Sequence, residues 1–448
     1  MNLLCGKQEF LVGVPSNEHV SCRQKNCRDV MLLCTLTFDF AGAPTTNFSN
    51  NNSTLCGGDV TVVEGASVDM DSAHFFGSTS GQGGSLCVGD TAWLSVSDSV
   101  IIGGRSTTGF GGCVSAEGTA SLQMMRTTLS GCSSAMCGGG VGVLNAARAD
   151  VTNSTISQAT AAYGGAMCAL QNATLSVVQS VLAGGRAAAD AGGCMAGAGL
   201  ARIQLLRTNV SGCSAVSSGG GIIMDGQAIL ELFYSTVSNN SAGTGLGGTM
   251  DGSSKAHGGG VSVADRSSIV LQGSVLSGNK APYGAGGMFL SSNATVTVTV
   301  SFAGDSPTLV HSNTAASVGG GIRLASGVSP ANMSRFLRVY DNGALNSPDI
   351  SIMAKSIQVV SSNGESLLAS DSRDGFLQAT LNVSGANGLP SADDLWYTVF
   401  DTNNTALSTQ NANGRSTHDG SLTDVAISFK RPPGGLLQQA LLVLLLVL

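Results

Sequence analysis

The chain has few charged and few aromatic side chains, and these shortages exclude several classes of protein. Charged residues make up 11% of the 448 positions and aromatic residues 5%. The net formal charge is −7 and no basic run occurs, so we expect no nucleic-acid partner, because such binding depends on clustered cations facing phosphates. Intrinsic disorder is excluded as well, since it requires low hydrophobicity, whereas 42% of this chain is hydrophobic.

The sequence also lacks a long apolar run and any Cys-X-X-Cys pair. The apolar tail Leu436–Leu448 is 13 residues long, whereas a membrane-spanning helix needs about 20. Four interpretations stay open for it: a buried helix, an artefactual end, a truncated anchor that attaches the chain to a membrane, and a lipid-anchor signal. Without Cys-X-X-Cys spacing we expect no zinc site, and no motif indicates another metal or a cofactor.

Glycine, in contrast, is abundant, with 62 residues and no Gly-X-Y period, which excludes collagen. Glycine pairs or triplets precede short alternating apolar runs, and these units recur at steps of 28, 28, 25, 28, 28, 39, 27 and 34 residues. The first residues after the glycines are Ser85, Cys113, Val141, Ala166, Cys194, Ile222, Val261, Met288 and Ile322. The 39-residue step contains another glycine pair, Gly247-Gly248, and predicts one coil with an inserted loop.

A second motif, Ser/Thr-X-apolar-Ser-Gly/Asn, keeps the same register, as in TTLSGC at 127–132 and SVLSGN at 274–279. Between the motifs apolar and polar residues alternate, which is the strand period. A period near 27 residues fits three short strands and three turns, whereas a helical repeat would need 3.6-residue spacing and fewer glycines. We therefore predict an all-β fold, a right-handed parallel β-helix with at least seven coils between Ser85 and Ile322 and with the post-glycine residues in columns.

The β-helix is expected over residues 81–345, after an N-terminal cap region of residues 1–80 that has no clear repeat. From residue 346 the pattern changes to alternating strands separated by Asn, Gly, Ser and Asp turns, as in LWYTVFD and DVAISFK. This change favours a small C-terminal β-sandwich-like domain, complete or incomplete, over residues 346–433. The apolar tail of residues 434–448 follows it.

The repeats resemble those of a known group of proteins. Glycine-glycine-apolar motifs, GGAM at 164–167 and GGGI at 219–222, alternate with SNNSA at 238–242 and SGNKA at 277–281. The pattern is similar to the polymorphic outer membrane protein repeat of bacterial adhesins, with its GGA[I/L/V] and FxxN motifs, and more broadly to the pectin-lyase-like β-helix superfamily. It covers about residues 80–330 and departs from FxxN in carrying Leu or Val for Phe. The resemblance implies a β-helix exposed at a cell surface.

Four of the twelve cysteines follow the repeat register. Cys113 and Cys194 come first after the glycines, and Cys87 and Cys168 lie two residues further on, which predicts one strand face turned to the core. Cys87 with Cys113, and likewise Cys168 with Cys194, would lie diagonally on adjacent coils at about 8 Å, beyond disulfide reach. We therefore expect all four to be buried and unbridged.

The other cysteines lie outside this register. Cys132 and Cys137 flank one turn and are candidates to bridge with each other. Disulfides are also expected within an N-terminal group if the chain is secreted. The members of that group are Cys5, Cys22, Cys27, Cys34 and Cys56.

One outward column is predicted to face a ligand. It lies three residues before the apolar residue of the second motif and reads Asp98, Arg126, Asn153, Gln179, Arg207 and Tyr234. Asp98 and Arg126 are stacked neighbours and should form a surface ion pair of little energetic weight. Arg126, Arg207 and Tyr234 are the candidate contacts to an extended polar polymer such as a glycan, because flat repeated columns offer many hydrogen bonds and few deep pockets.

We therefore expect a non-enzymatic, extracellular or cell-surface β-helix protein with an adhesive, matrix or cell-wall glycan-binding role. The other interpretation is that the polar face only keeps the protein soluble and binds no ligand. Asn-X-Ser/Thr sequons, which are acceptors only in a secretory pathway, support the location. They begin at Asn47, Asn51, Asn52, Asn153, Asn172, Asn209, Asn239, Asn293, Asn332, Asn382 and Asn403.

The alternative function is that of a carbohydrate-active enzyme, a polysaccharide lyase, hydrolase or epimerase of the pectin-lyase-like superfamily. Such chemistry needs paired carboxylates, or a base beside a group that neutralises a uronate. No two carboxylates fall on adjacent coils of the ligand-facing column. The catalytic candidates are Asp251, Lys255 and His257 in the inserted loop, because loops on rigid scaffolds often carry function; a plain solvated loop is the competing interpretation.

Overall fold

A computed structural model describes residues 47–243, 256–291, 293–299, 306–325, 337–345 and 349–350, and elsewhere only the backbone of the strands given below. The chain forms an all-β parallel solenoid of about 10 coils, which confirms the predicted fold class. The predicted β-sandwich-like domain of residues 346–433 lies almost entirely outside the described residues, and the tail of residues 434–448 lies wholly outside them.

Each coil contributes one strand to each of three long parallel sheets, called sheets 1, 2 and 3 in chain order. The strands of sheet 1 are Met31–Leu32, Val60–Val62, Leu86–Val88, Val114–Ala116, Val141–Val143, Met167–Gln171, Met195–Gly199, Ile222–Met224, Val261–Val263, Met288–Leu290, Ile322–Leu324 and Ile350–Ile352. Those of sheet 2 are Thr35–Phe38, Ser67–Asp71, Trp93–Ser97, Ser121–Met125, Arg148–Thr152, Thr174–Val178, Arg202–Leu206, Ile229–Phe233, Ser268–Gln272 and Thr295–Val298. Those of sheet 3 are Thr46–Ser49, Ala73–Phe76, Val100–Ile102, Thr128–Ser130, Thr155–Ser157, Val181–Ala183, Asn209–Ser211, Thr236–Ser238, Val275–Ser277, Thr308–His311 and Leu337–Tyr340.

A fourth, narrower column of two-residue strands, called sheet 4, follows sheet 3 in each coil. Its strands are Thr79–Ser80, Arg105–Ser106, Ser133–Ser134, Thr160–Ala161, Arg186–Ala187, Ser214–Ala215, Lys280–Ala281 and Thr314–Ala315, and single bridges through Ser241 join its two parts. Outside the solenoid the strands are Asn2–Cys5, Gln8–Leu11, Ser356–Ser361, Leu368–Arg373, Phe376–Asn382, Leu395–Phe400, Ala406–Asn411, Val425–Lys430 and Leu444–Leu445. Stacked coils begin upstream of residue 81, the predicted start of the solenoid, because Val60–Val62 pairs in parallel with Leu86–Val88.

The corner between sheets 2 and 3 is built from residues in the left-handed backbone conformation. In seven successive coils this residue is not glycine, and its φ lies between 48° and 54°. The residues are Ser72, Asp98, Arg126, Asn153, Gln179, Arg207 and Tyr234. Gly273 takes the same place in the next coil, with φ 54°. The six residues predicted as an outward column therefore do form one, with one member per coil.

The post-glycine residues form columns, as predicted, and the columns are two. Cys113 begins its coil in the same place as Ser85, but Val141 pairs with Val114, one position later. In coils with a glycine triplet the third glycine, such as Gly140, takes the earlier place. The second column is offset by one residue, because the strand begins at a fixed distance from the corner and not at the end of the glycine run. The stacking of more than seven coils is confirmed.

The interior is filled by ladders of inward side chains. In sheet 2, for example, Leu94 and Val96 are fully buried while the residues between and beside them face outward, which is the two-residue strand period. A second, smaller apolar cluster lies on the outer side of sheet 1, where the segment leading from sheet 4 back to sheet 1 covers it. Its buried members are Cys137, Cys168, Ala191, Ala196 and Ile223.

The eight cysteines in the described residues are all paired, so the prediction that four of them are unbridged was wrong. The bonds are Cys56–Cys87, Cys113–Cys132, Cys137–Cys168 and Cys194–Cys213, with Cα–Cα distances of 5.4 to 5.9 Å. The prediction compared only the four cysteines of the repeat register with one another, whereas each of them bonds to a cysteine outside that set. Cys132 and Cys137 accordingly do not bridge with each other.

The four cysteines of the repeat register are buried as predicted, but they do not share one face. Cys113 packs in the main core, whereas Cys168 lies in the outer cluster of sheet 1. The strand begins one residue after Cys113, at Val114, so the alternation of faces does not extend back to the corner position. Of the N-terminal group only Cys56 lies within the described residues.

Two successive three-coil segments repeat one another. Equivalent bonded cysteines lie 81 positions apart, as Cys56 and Cys137 do, and the paired cysteines of each segment enclose the same separations of 31 and 19 residues. The sequence match continues between the cysteines, with GGR at 103–105 and 184–186 and SGCS at 130–133 and 211–214. The solenoid therefore contains an internal duplication of a unit of 81 residues.

Candidate functional site

The predicted ion pair on the outward column is present. Arg126 donates from Nε to Asp98 Oδ1 at 2.7 Å, and its Nη2 contacts the other carboxylate oxygen. Both side chains are well exposed, at 49% and 40%. The hydrogen bonds from Arg126 lower the pKa of Asp98 below its usual value. The two groups form an exposed ion pair on the surface of the solenoid.

The other two predicted ligand contacts lie further along the same column. Arg207 is exposed. Its neighbour on the preceding coil is Gln179, just as Asp98 is the neighbour of Arg126 on the preceding coil. Tyr234 is 39% exposed, its hydroxyl accepts a hydrogen bond from Gln272 Nε2 at 2.6 Å, and its ring covers Gly273 so closely that a Cβ there would clash. Arg126 and Arg207 are three coils apart, about 14 Å at the usual strand spacing. The column thus aligns these side chains without enclosing a pocket.

Two of the three catalytic candidates, Asp251 and Lys255, lie outside the described residues. The third, His257, lies at the end of the insertion and packs as a ring. It stacks on Phe289 with 4.3 Å between ring centroids and meets the edge of Tyr283 at 5.1 Å. Burial, together with the charge of Arg323, lowers the pKa of His257 to about 3. His257 is therefore neutral and held in a stack at physiological pH, and its catalytic role stays a prediction.

A pair of carboxyl groups that the sequence reasoning missed lies at the corner between sheets 1 and 2. Asp225 and Asp265 lie on neighbouring coils and share a hydrogen bond. Burial raises the pKa of Asp225, and the hydrogen bond and charge of Asp265 raise it further. Burial and the charges of Asp225 and Asp190 also raise the pKa of Tyr163, which packs against the outer cluster of sheet 1. The signal was missed because only the corner between sheets 2 and 3 was searched for paired carboxylates.

One group of potential metal ligands occurs in the part of the chain that the structure describes. The sulfurs of Cys56 and Cys87 and a carboxylate oxygen of Glu117 lie within 4.8 Å of one another. The two sulfurs are bonded to each other, so they are not available as thiolate ligands. The arrangement is that of a disulfide beside a half-buried acid.

No family model, no curated protein and no solved structure matches this chain. The fold and the side-chain geometry therefore carry the functional argument alone. Among the described residues, no helix has the length and apolar character needed to cross a membrane.

Proposed function

We propose that this protein is a non-enzymatic, extracellular or cell-surface solenoid that binds an extended glycan or another surface partner along its long face. The location is supported by the four disulfides, since disulfides persist in oxidising compartments and are rare in the cytosol. It is supported further by sequons such as Asn153, Asn172 and Asn239, whose asparagines are exposed at corners. Attachment to a membrane through the apolar tail belongs to the same proposal.

A relationship to the polymorphic outer membrane protein repeat, or to the wider pectin-lyase-like superfamily, is part of this proposal. The asparagine of the FxxN-like motif has a structural role in this solenoid, and this role supports the proposed relationship. In SNNSA and SGNKA it is Asn240 and Asn279, which are buried at the corner after sheet 3 and hydrogen-bonded to each other. A surface role is what such a relationship implies.

The observation that carries the binding proposal is the outward column of Asp98, Arg126, Asn153, Gln179, Arg207 and Tyr234, which presents one polar side chain per coil. A polymer that lies along the solenoid meets such a column in every coil. The surface has a concavity at Gly118, Thr119, Asn145 and Asn172, but it is shallow and open. A small apolar ligand prefers an enclosed apolar pocket, so this surface suits an extended polar ligand better.

Glycan-array binding tests the proposal. The triple variant Arg126→Ala/Arg207→Ala/Tyr234→Ala should lose most of the binding of the native chain, because the three side chains supply the charge and the ring of the column. Arg148→Ala/Arg266→Ala is the matched control, since it removes two exposed cations away from the column. Unchanged binding by the triple variant, or absence of any glycan bound by the native chain, would contradict the proposal.

A carbohydrate-active enzyme is the second candidate, and the hydrogen-bonded pair Asp225 and Asp265 favours it. A carboxyl group whose pKa is raised, beside a second acid, is a candidate for the general acid that cleavage of a glycosidic bond uses. Turnover of a uronate polysaccharide or another glycan that is abolished in Asp225→Asn would support this candidate. A complete lack of turnover across such substrates would exclude it.

A further inference from the structure

Several coils carry acidic side chains at one corner and basic side chains on another part of the surface. Among the described residues, the corner between sheets 1 and 2 carries five carboxyl groups along the solenoid, and the cations nearest to it are Arg148, Arg202 and Arg266. The acids are Glu64, Asp90, Glu117, Asp225 and Asp265. A chain of net charge −7 thus concentrates acids along one corner.

The outer faces of sheets 3 and 4, with the corner that leads into sheet 3, carry the opposite charge. From Ser72 to Lys280, the described residues of this surface include five exposed cations and one carboxylate, Asp98, which pairs with Arg126. The cations are Arg105, Arg126, Arg186, Arg207 and Lys280. We call this surface, framed by the four arginines, the basic face.

The four arginines are two copies of one pair. Arg105 and Arg186 are 81 positions apart, as are Arg126 and Arg207, so each three-coil unit carries one arginine on sheet 4 and one at the corner before sheet 3. Both corner arginines have a positive φ, 51° and 50°, where glycine would fit without strain. The backbone therefore does not require arginine there, and the recurrence of the guanidinium in both copies favours a role for the side chain itself.

Hydroxyl groups line two successive coils of sheet 3 between the arginine pairs. Sheet 3 turns Thr128 and Ser130 outward in one coil and Thr155 and Ser157 outward in the next. Ser157 Oγ lies 3.3 Å from Ser130 Oγ, so these side chains form a continuous polar strip between adjacent coils. A flat strip of hydroxyl groups bordered by guanidinium groups offers neutral hydrogen bonds and charge-assisted ones to the same ligand.

The density of positive charge argues against a nucleic acid as the ligand. From the coil of Arg105 to the coil of Arg207 the face extends over four coil spacings, about 19 Å. A DNA duplex carries one phosphate charge per about 1.7 Å with both strands counted, so about eleven phosphates fall within this length against four arginines. A polymer with widely spaced anionic groups, and with hydroxyl groups between them, matches the basic face better.

We propose that the basic face binds a linear anionic glycan whose carboxylate or sulfate groups are held by the two arginine pairs. This inference rests on the proposed function and names the ligand class and the surface. Guanidinium groups hold planar anionic groups through paired hydrogen bonds, which a flexible lysine does less well. The two pairs recur after three coils, so one glycan chain can contact both.

The two arginine pairs differ in one respect, which predicts the pair that binds a ligand anion more strongly. In the first unit Asp98 occupies two hydrogen-bonding nitrogens of Arg126, whereas in the second unit Gln179 replaces it beside Arg207. A ligand anion must compete with Asp98 for Arg126 and meets no carboxylate at the equivalent place beside Arg207. The second pair therefore contributes more to binding than the first.

The test measures binding of immobilised protein to three polymers: a polyuronate, a sulfated glycosaminoglycan and a neutral glucan. The native chain should bind at least one anionic polymer and should bind the glucan more weakly. The affinity should fall about tenfold or more in Arg186→Ala/Arg207→Ala and less in Arg105→Ala/Arg126→Ala. Asp98→Gln, which copies the second unit into the first, should tighten binding. The control Arg148→Ala/Arg266→Ala removes as much charge elsewhere and should change affinity less than about twofold.

The outcomes separate this inference from the proposed function. Binding of the neutral glucan that the arginine variants leave unchanged overturns the anionic ligand but keeps a glycan-binding solenoid. Absence of binding to any glycan overturns both. Equally tight binding of a single-stranded oligonucleotide, or an equal loss in the control variant, means unselective attraction of polyanions and also overturns the inference. Circular dichroism of each variant checks that these surface substitutions leave the solenoid folded.

Discussion

Cys213 and Asn240 occupy the same corner position in successive coils, and the backbone N–H of Cys213 donates to Asn240 Oδ1 at 2.9 Å. From Asn240 onward the position is asparagine, and each side chain donates from Nδ2 to the next at 2.9 to 3.0 Å, through Asn279 and Asn313 to Asn342. Upstream, two coils of this column hold a disulfide-bonded cysteine instead. The corner after sheet 3 is thus stabilised by covalent bonds in one half of the solenoid and by hydrogen bonds in the other.

The asparagine ladder predicts a large loss of stability on replacement of its middle member. Asn279→Ala removes the acceptor for both the backbone and the side chain of Asn240 and leaves the Val237 carbonyl without its donor. Buried polar groups without partners cost about 1–3 kcal/mol each, so we expect a loss of about 3 kcal/mol in the free energy of unfolding. Urea denaturation measures it. Ser277→Ala, an outward position two residues away, should change stability by less than about 0.5 kcal/mol.

How far the sequence predicts this fold depends on which interaction is considered. Alternation of apolar residues and the shared register of two motifs predict the parallel coils, because they follow from strand geometry alone. The last position of the SGN and SGC motifs, Asn279 or Cys132, was available as a signal for the corner ladder but was not used. The cysteine pairing was mispredicted because strand residues such as Cys87 bond to corner residues such as Cys56, and corner positions have no simple face alternation.

The disulfide pattern predicts bond positions and their effect on stability. Non-reducing peptide mapping should recover Cys56–Cys87 and Cys113–Cys132, together with their copies 81 positions on. Cys113→Ala/Cys132→Ala should lower the free energy of unfolding by about 3 kcal/mol, as expected for a loop of 19 residues. Recovery of a Cys87–Cys113 peptide would contradict this pattern and the register. The Cys194→Ala/Cys213→Ala variant is the matched comparison, because it opens the equivalent loop of the second unit.

His257 predicts a loss of stability as the pH falls. Its pKa is lowered to about 3 in the folded chain, against an ordinary value near 6.5, so below pH 6.5 the unfolded chain binds a proton that the folded chain does not. The stabilisation is complete above pH 6.5 and decreases by about 1.4 kcal/mol per pH unit as the pH falls towards 3. Between pH 7 and pH 5 we expect about 2 kcal/mol of lost stability from this residue.

Urea denaturation of the native chain and of His257→Phe at both pH values measures this effect. Phenylalanine keeps a ring against Phe289 but cannot take a proton, so the variant should lose less stability between pH 7 and pH 5. Acids whose pKa is raised, such as Asp225, respond alike in both proteins and cancel in the comparison. An equal pH dependence in native chain and His257→Phe would show that the ring is accessible to protons.

The candidate site was less predictable than the fold. The motif Ser/Thr-X-apolar-Ser-Gly/Asn has a fixed register, so it predicts which residue lies at the corner before sheet 3. That prediction identified Arg126, Arg207 and Tyr234. Arg105 and Arg186 were not found, since sheet 4 has two residues per strand and no sequence period of its own. Their importance follows only from the pairing of the coils, which brings sheet 4 beside sheet 3, and from the duplication that repeats them.

The sequons predict where glycans attach if the chain passes through a secretory pathway. Asn153 and Asn172 are exposed at corners and should be occupied, whereas Asn51 is half-buried and donates from Nδ2 to Asp59 at 2.7 Å, and should be unoccupied. Mass spectrometry of deglycosylated peptides from a secreting host measures occupancy at each. Occupied Asn51 beside unoccupied Asn153 would contradict the assigned exposure.

Occupancy of Asn153 bears directly on ligand binding, because this residue lies in the corner column one coil beyond Arg126 and two coils before Arg207. A glycan attached there would stand between the two arginine pairs and hinder a polymer that contacts both. Asn153→Gln, expressed in the secreting host, should therefore bind the anionic polymer more tightly than the native chain from the same host. In protein made without glycosylation the same substitution should have little effect, since the amide is retained and only the attachment site is lost.

Asn172→Gln is the control, because Asn172 lies at the corner between sheets 1 and 2, away from the basic face. Equal affinities for native chain and Asn153→Gln, with Asn153 occupied, would mean that the ligand does not bridge the two pairs.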